Sequence, residues 1–313
     1  MECLTSCRRM LSTRLTGNST GIILLVAGAL AVSGLWRYGF IVVYRSNCPR
    51  VTNATTHCEH RNHLNDSALD LCLNQTLAQS GKEKLWFHVS GDSRTRQIFL
   101  GVSVALSRIW STAESISHVD PLCESARRDH CHMNVSIPGH RFSLSERWYP
   151  SVENERMQLE LEALLALPDA RLPDILIANS GAWLVHTCFR SKINDTHCAE
   201  KYRSMMSAVL PLLRRLAERT KVVWMPQNRM KRDWGPQKTD HGNDLLQHFN
   251  RYVYEELQDS KVVYWKAYNR IYDCFADTED GIHVGPKSMP WMVNILLEYV
   301  CTDRFDNSFQ CCY

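Results

Sequence analysis

The sequence lacks a dominant charge, since 36 basic side chains stand against 33 acidic ones for a net of +3. No basic field advertises a nucleic-acid partner. Internal repeats, low-complexity tracts and heptads are missing too, which excludes solenoid and coiled-coil architectures. His130, Cys131 and His132 stand together, but no second pair follows at zinc-site spacing, so no metal is expected. Long hydrophobic runs are absent with one exception, and 313 residues at 44% apolar content suit one α/β domain with a short appendage.

The exception runs from Gly21 to Trp36 and continues past Arg37 to Tyr44. Its strictly apolar part is shorter than the ~20 residues that cross a typical bilayer, so a thin membrane is expected, with Arg37 at the edge. Arg8, Arg9 and Arg14 precede it and put the N-terminus in the cytosol, although Arg37 and Arg45 on the far side weaken that argument. Cysteine and sequon placement agrees independently. Eleven cysteines, Cys48 to Cys312, follow the run, as do the N-x-S/T acceptors at Asn53, Asn65, Asn74, Asn134 and Asn194. The expected organisation is a cytosolic tail (1–20), a single-pass type II anchor (21–44), a lumenal stem (45–81) and a lumenal domain (82–313) in an oxidising compartment, the Golgi or the endoplasmic reticulum. Oligomeric state is open.

From Lys84 onward, short β-branched or aromatic runs alternate with longer amphipathic stretches, the pattern of an α/β domain with a mostly parallel sheet. Strands are expected at Leu85–Ser90, Asp174–Asn179, Lys221–Pro226 and Lys261–Trp265, with one more near His140–Leu144. Helices are expected at Thr95–Trp110, Glu153–Leu167, Glu200–Arg219, Gly242–Leu257 and Met289–Val300. These make a three-layer α/β/α sandwich.

The first strand ends directly in Gly91-Asp92-Ser93, and a helical pattern follows. A serine there stands at the carboxyl edge of the sheet, with its backbone N–H at a helix N-terminus that can stabilise an oxyanion. A bare helix N-cap would look the same. Serine needs a base, and Asp280-Gly281-Ile282-His283 offers a carboxylate and an imidazole three residues apart on the loop before the last helix. Asp280 would fix the tautomer of His283, whose other nitrogen would face Ser93. Further oxyanion donors are Asn179 and Gly181 after the third expected strand, or Gln227 and Asn228 after the next.

GDSRTRQIF followed much later by DGIH resembles the SGNH/GDSL hydrolase superfamily in its PC-esterase branch. The chain is most similar there to the N-terminal lumenal domain of the sialate O-acetyltransferases. The shared features run from the anchor through GDSRTRQ, VLPLLRRLAERT, VVWMPQN, DGIH and NILLEYVC to Cys311-Cys312. This resemblance implies an SGNH-hydrolase-like fold, Golgi placement, acetyl-CoA as co-substrate with no permanently bound cofactor, an acetyl-serine intermediate, and sialic acid or its CMP sugar as acceptor. It marks Arg96 and Trp183 as substrate-binding candidates. In that family a multi-pass half begins near Tyr313, so a short form or a truncated piece is expected. A glycan O-acyl esterase using the same residues, and an inactive lumenal glycan-binding protein, are the alternatives.

Overall fold

The computed structural model describes residues 64–110, 132–136, 141–149, 155–231, 236–275, 277–278 and 280–307. The expected tail, the anchor, Asn53 and the cluster's His130 and Cys131 lie outside them. Among the described residues no helix is long and apolar enough to cross a membrane.

In chain order the elements are α1 (Asp66–Ser80), β1 (Leu85–Gly91), α2 (Ser93–Ile109), β2 (Met133–Ser136), β3 (Phe142–Trp148), α3 (Arg156–Leu165), β4 (Ile175–Ala178), α4 (Ala182–Arg190), α5 (Asp195–Ala217), β5 (Lys221–Trp224), α6 (Pro236–Leu257), β6 (Val263–Tyr264), α7 (Lys266–Phe275) and α8 (Met289–Thr302). The sheet order is β2-β3-β1-β4-β5-β6. All pairings are parallel except that of β2, an antiparallel edge on β3. The expected mostly parallel α/β sheet is therefore observed.

Strand alternation divides the core between the two sheet faces. Phe87 and Val89 of β1, with Ile175 and Ile177 of β4, share one cluster with α1, α2, α7 and α8. Leu176 and Ala178, with Val222 and Trp224 of β5, share the other with α3, α4, α5 and α6. A strand buried on both faces reads as a nearly continuous apolar run, which explains ILIA and KVVW.

The connectivity places the ligand region. From β1 the chain crosses to β3 on one side, then returns to build β4, β5 and β6 on the other. Strand order reverses between β1 and β4, and in open α/β sheets ligands bind beyond the carboxyl ends of the strands at such a switch point. Gly91-Asp92-Ser93 leaves β1 there, and Asn179-Ser180-Gly181 leaves β4 beside it.

Several elements differ from the sequence expectation. The stretch read as stem contributes α1, whose Leu69, Leu73 and Leu77 are buried in the core and whose Cys72 is disulfide-bonded to Cys301 of α8. α5 starts five residues earlier than its periodicity suggests because the Asn194 side chain caps it, accepting from the His197 N–H. The short α4 and α7 and the strand β2 were not anticipated. The strand expected near His140–Leu144 is β3, which extends to Trp148. A second disulfide, Cys188–Cys198, ties the end of α4 to the start of α5. The sequon residues Asn65, Asn74, Asn134 and Asn194 are all exposed.

Candidate active site

Ser93 is the first residue of α2, and Asp92 caps that helix, its carboxylate accepting the Arg94 N–H at 2.9 Å. The turn between β1 and α2 is tight. Gly91 has φ +155°, and a Cβ there would lie 2.7 Å from the Asn179 carbonyl oxygen, so no other residue fits without displacing the β4 loop.

The loop before α8 brings the base to this turn. His283 Nε2 lies 2.7 Å from Ser93 Oγ, and His283 Nδ1 lies 2.5 Å from Asp280 Oδ2. The other Asp280 oxygen accepts the backbone N–H groups of Ile282 and His283 at 2.9 and 2.8 Å. Burial works to raise the Asp280 pKa, but these hydrogen bonds and the imidazole outweigh it and hold the carboxyl at about 2. It is an anion at any physiological pH. An acceptor on Nδ1 favours the tautomer with its proton there, leaving Nε2 free to take the serine proton.

Side chains outside the expected set hold this loop. Gln97, one turn beyond Ser93 on α2, brackets Val284: its Nε2 donates to the Val284 carbonyl at 3.0 Å, and its Oε1 accepts the Val284 N–H at 2.9 Å. Asp277 accepts from the N–H groups of Lys287 and Ser288 and from the Ser288 hydroxyl, anchoring the start of α8. The Gly281 carbonyl accepts the Lys231 N–H. Gln97 lies inside the GDSRTRQ motif, so its position was visible; Asp277 carried no signal beyond a carboxylate near a helix start.

The expected oxyanion donors sit at the same sheet edge with different engagements. Asn179, fully buried, pairs reciprocally with Asp92, donating from Nδ2 at 3.1 Å and accepting the Asp92 N–H at 3.1 Å. Gln227 donates from Nε2 to the other Asp92 oxygen at 3.1 Å and accepts from Arg94 Nη1, so, as in Asn179, the amide oxygen and one N–H are engaged within the protein. Gly181 precedes α4 with φ +136° and is buried, with Phe249 of α6 and Tyr202 of α5 closest to where a Cβ would stand. Asn228 donates weakly to the Ile282 carbonyl at 3.4 Å. Arg94 is fully buried and points away from solvent into this network.

No protein-family model matches the chain, and no curated protein matches it. Solved structures similar to it include the following three. One is a catalytic mutant of an acetylxylan esterase from Geobacillus stearothermophilus, at 11% identity and TM-score 0.44 over 70% of this chain and 95% of that one. Another is a member of the lipolytic G-D-S-L family from Veillonella parvula, at 11% identity and TM-score 0.39 over 68% and 96%. The third is TesA, at 14% identity and TM-score 0.37 over 68% and 97%.

On the β3 side of the serine, Arg96 lies over the Trp148 ring at 4.2 Å and reaches Glu146 with Nε at 3.3 Å. Trp183, at the start of α4, is 38% exposed and meets Trp148 edge-on at 6.4 Å. Trp148 pairs in register with Gly91, so this aromatic pair flanks the Ser93 turn. Glu146 is fully buried, and burial pushes its carboxyl up to about 7 although the Arg96 cation opposes the shift. Beneath the turn, His88 bonds to Ser145 and Glu160 at 2.6 and 3.0 Å, and Ser90 donates to Glu160 at 2.7 Å. Those polar residues sit inside a buried strand, where sequence periodicity treats them as noise.

Proposed function

We propose that the protein is a serine-dependent acyl-transfer enzyme of SGNH type that moves acetyl from acetyl-CoA to a glycan hydroxyl. Sialic acid, free or as its CMP sugar, is the acceptor, and the site faces the Golgi lumen from a membrane anchor. The observation that carries the chemistry is the hydrogen-bonded line from Ser93 Oγ through His283 to Asp280.

In the cycle His283 Nε2 takes the Ser93 proton as Oγ attacks the thioester carbonyl, and Asp280 stabilises the imidazolium. The oxyanion is held by the Ser93 N–H at the α2 N-terminus and by the remaining Asn179 Nδ2 hydrogen. Collapse breaks the C–S bond, and the coenzyme A thiolate leaves with the proton from His283. The acceptor hydroxyl then gives its proton to the same nitrogen and attacks the acetyl-serine. Ser93 leaves as the alkoxide and recovers the proton.

Support for an acidic sugar comes from Trp183 and Trp148, which offer an aromatic face, and from Arg96 beside them as a cation for a carboxylate. Arg96 shares its charge with Glu146, so it would bind at the rim of the site. The exposure of the triad supports a second reading. The side chains of His283 and Asp280 are 32% and 43% exposed, which gives water access to an acyl-serine and favours an esterase acting on O-acylated glycans.

The test is to incubate the purified protein, beside Ser93→Ala, with acetyl-CoA and CMP-sialic acid, and separately with O-acetylated sialic acid. Acetylated sugar that disappears in the variant is expected. Serine-dependent release of acetate without transfer would replace the transferase with the esterase, and no serine-dependent turnover in either assay would leave a glycan-binding protein.

A further inference from the structure

A groove of about 400 Å³ runs between α2 and α8 on the side of the nucleophile away from the tryptophans. Gln97 and Val284 line one end and are bonded to each other, Gln97 one turn beyond Ser93 and Val284 directly after His283, so that end adjoins the residues of the triad. Ser93, Gln97, Gly101, Val104 and Arg108 recur at three- and four-residue steps along α2 and therefore share one face. The floor is closed where α8 crosses at Gly101, since a Cβ there would lie 2.8 Å from Met289 and Val293. Leu100 and Val104 form one wall, at 40% and 60% exposure, and Pro286 and Pro290 the other.

These walls are mostly apolar, so they suit a narrow chain of methylenes and methyls better than a hydroxyl-studded sugar. Two polar features remain, Asn294 along the groove and Arg108 at its far end. Arg108 pairs with Asp66 through two hydrogen bonds, Nε at 2.9 Å and Nη2 at 2.8 Å, but both side chains are largely exposed and its Nη1 is not part of this fork, so a phosphate would share the guanidinium with Asp66. Arg108 lies about 22 Å along the helix axis from Ser93. Helical side chains tilt back toward the helix N-terminus, so a guanidinium at this position can come within roughly 16–18 Å of Ser93. A phosphopantetheine arm, from thioester carbon to phosphate, extends on the order of 15–18 Å. The arm combines methylenes and geminal methyls with two amides and ends in an anion.

We infer that this groove is the donor subsite, holding the pantetheine arm of a coenzyme A thioester with its phosphate at Arg108. The inference rests on the thioester-dependent reading proposed above. It divides the two substrates between opposite flanks of one serine: donor along α2 and α8, acceptor against Trp148 and Trp183.

The test compares two acetyl donors on the intact protein, acetyl-CoA and p-nitrophenyl acetate, which has no arm. For Val104→Asp and for Arg108→Glu, the ratio of kcat/KM with acetyl-CoA to that with p-nitrophenyl acetate is expected to fall at least tenfold. A loss of folded protein cancels in that ratio. Leu159→Asp, at an exposed apolar position on α3, should keep the wild-type ratio. If wild type uses acetyl-CoA and the Val104 variant keeps its ratio, the subsite is wrong while the transferase stands. A selective loss on an octanoyl ester instead would assign the groove to an acyl chain and overturn the inference. Wild type that ignores acetyl-CoA while hydrolysing p-nitrophenyl acetate through Ser93 removes the transferase reading itself.

Discussion

Asn179 and Asp92 hold each other by two hydrogen bonds of 3.1 Å, the amide of one exchanging with the carboxylate and backbone N–H of the other. The pair locks the end of β4 to the turn that carries Ser93. It commits one of the two Nδ2 hydrogens of Asn179, and in the proposed cycle the second meets the oxyanion. Asn179→Ala is therefore expected to lower kcat about 10²- to 10³-fold, the usual cost of an oxyanion donor. Asn179→Asp should do worse, because it sets a second carboxylate against buried Asp92. Thermal melts and single-turnover rates on both variants check the order. Equal stability of the two would contradict the pairing.

The Asp280 carboxyl predicts a pH window. Its folded pKa, about 2, lies below the ordinary carboxylate value near 3.9, so its contribution to stability is present above pH 4 and lost as pH falls through 2. In a His283→Ala background, which removes the coupled imidazole, the stability difference between Asp280 and Asp280→Asn should stay constant from pH 8 to about pH 4 and shrink below that. A difference that already vanishes at pH 5 would show that the carboxylate is not held by the Ile282 and His283 N–H groups.

Glu146 behaves in the opposite sense. Its folded pKa of about 7 exceeds the unfolded value, so the stabilisation it lends is complete below pH 4 and disappears as pH rises through 7. Relative to wild type, Glu146→Gln should gain stability steadily between about pH 4 and pH 7, by at most about 3 kcal/mol, and level off above that. Denaturant titrations at four pH values measure it. A pH-independent difference would mean that the Arg96 cation keeps Glu146 ionised throughout.

The Cys72–Cys301 disulfide joins α1 to α8 across 229 residues of sequence. Replacing both cysteines with serine should cost roughly 2–5 kcal/mol of stability, more than a short-loop bridge. The loss should be smaller for Cys188–Cys198, which closes only 10 residues. Equal losses for the two bridges would argue that loop length does not govern either.

Much of this arrangement was legible in the sequence, for identifiable reasons. β1, β4 and β5 show as dense apolar runs because parallel strands are buried on both faces. Gly91-Asp92-Ser93 and Asp280 to His283 show because strand-turn-helix punctuation is local. What escaped is what depends on distant partners. α1 has only a weak amphipathic pattern and is held by Leu69, Leu73, Leu77 and a disulfide to the far end of the chain. The buried Arg94 looks like a surface cation until Gln227, 133 residues away, is seen to accept from it. Gln227, which the sequence offers as an oxyanion donor, is also tied to Asp92 and Arg94, and those bonds were not visible in the sequence.

The most direct measurement is a search for acylated serine. Intact protein is mixed with isotope-labelled acetyl-CoA, quenched in acid within seconds, digested and mapped by mass spectrometry. The peptide carrying Ser93 should gain one acetyl group, and His283→Ala should form it ~10³-fold more slowly or less. Label on a different residue, or undiminished labelling of Ser93 in the His283 variant, would contradict the account at its centre.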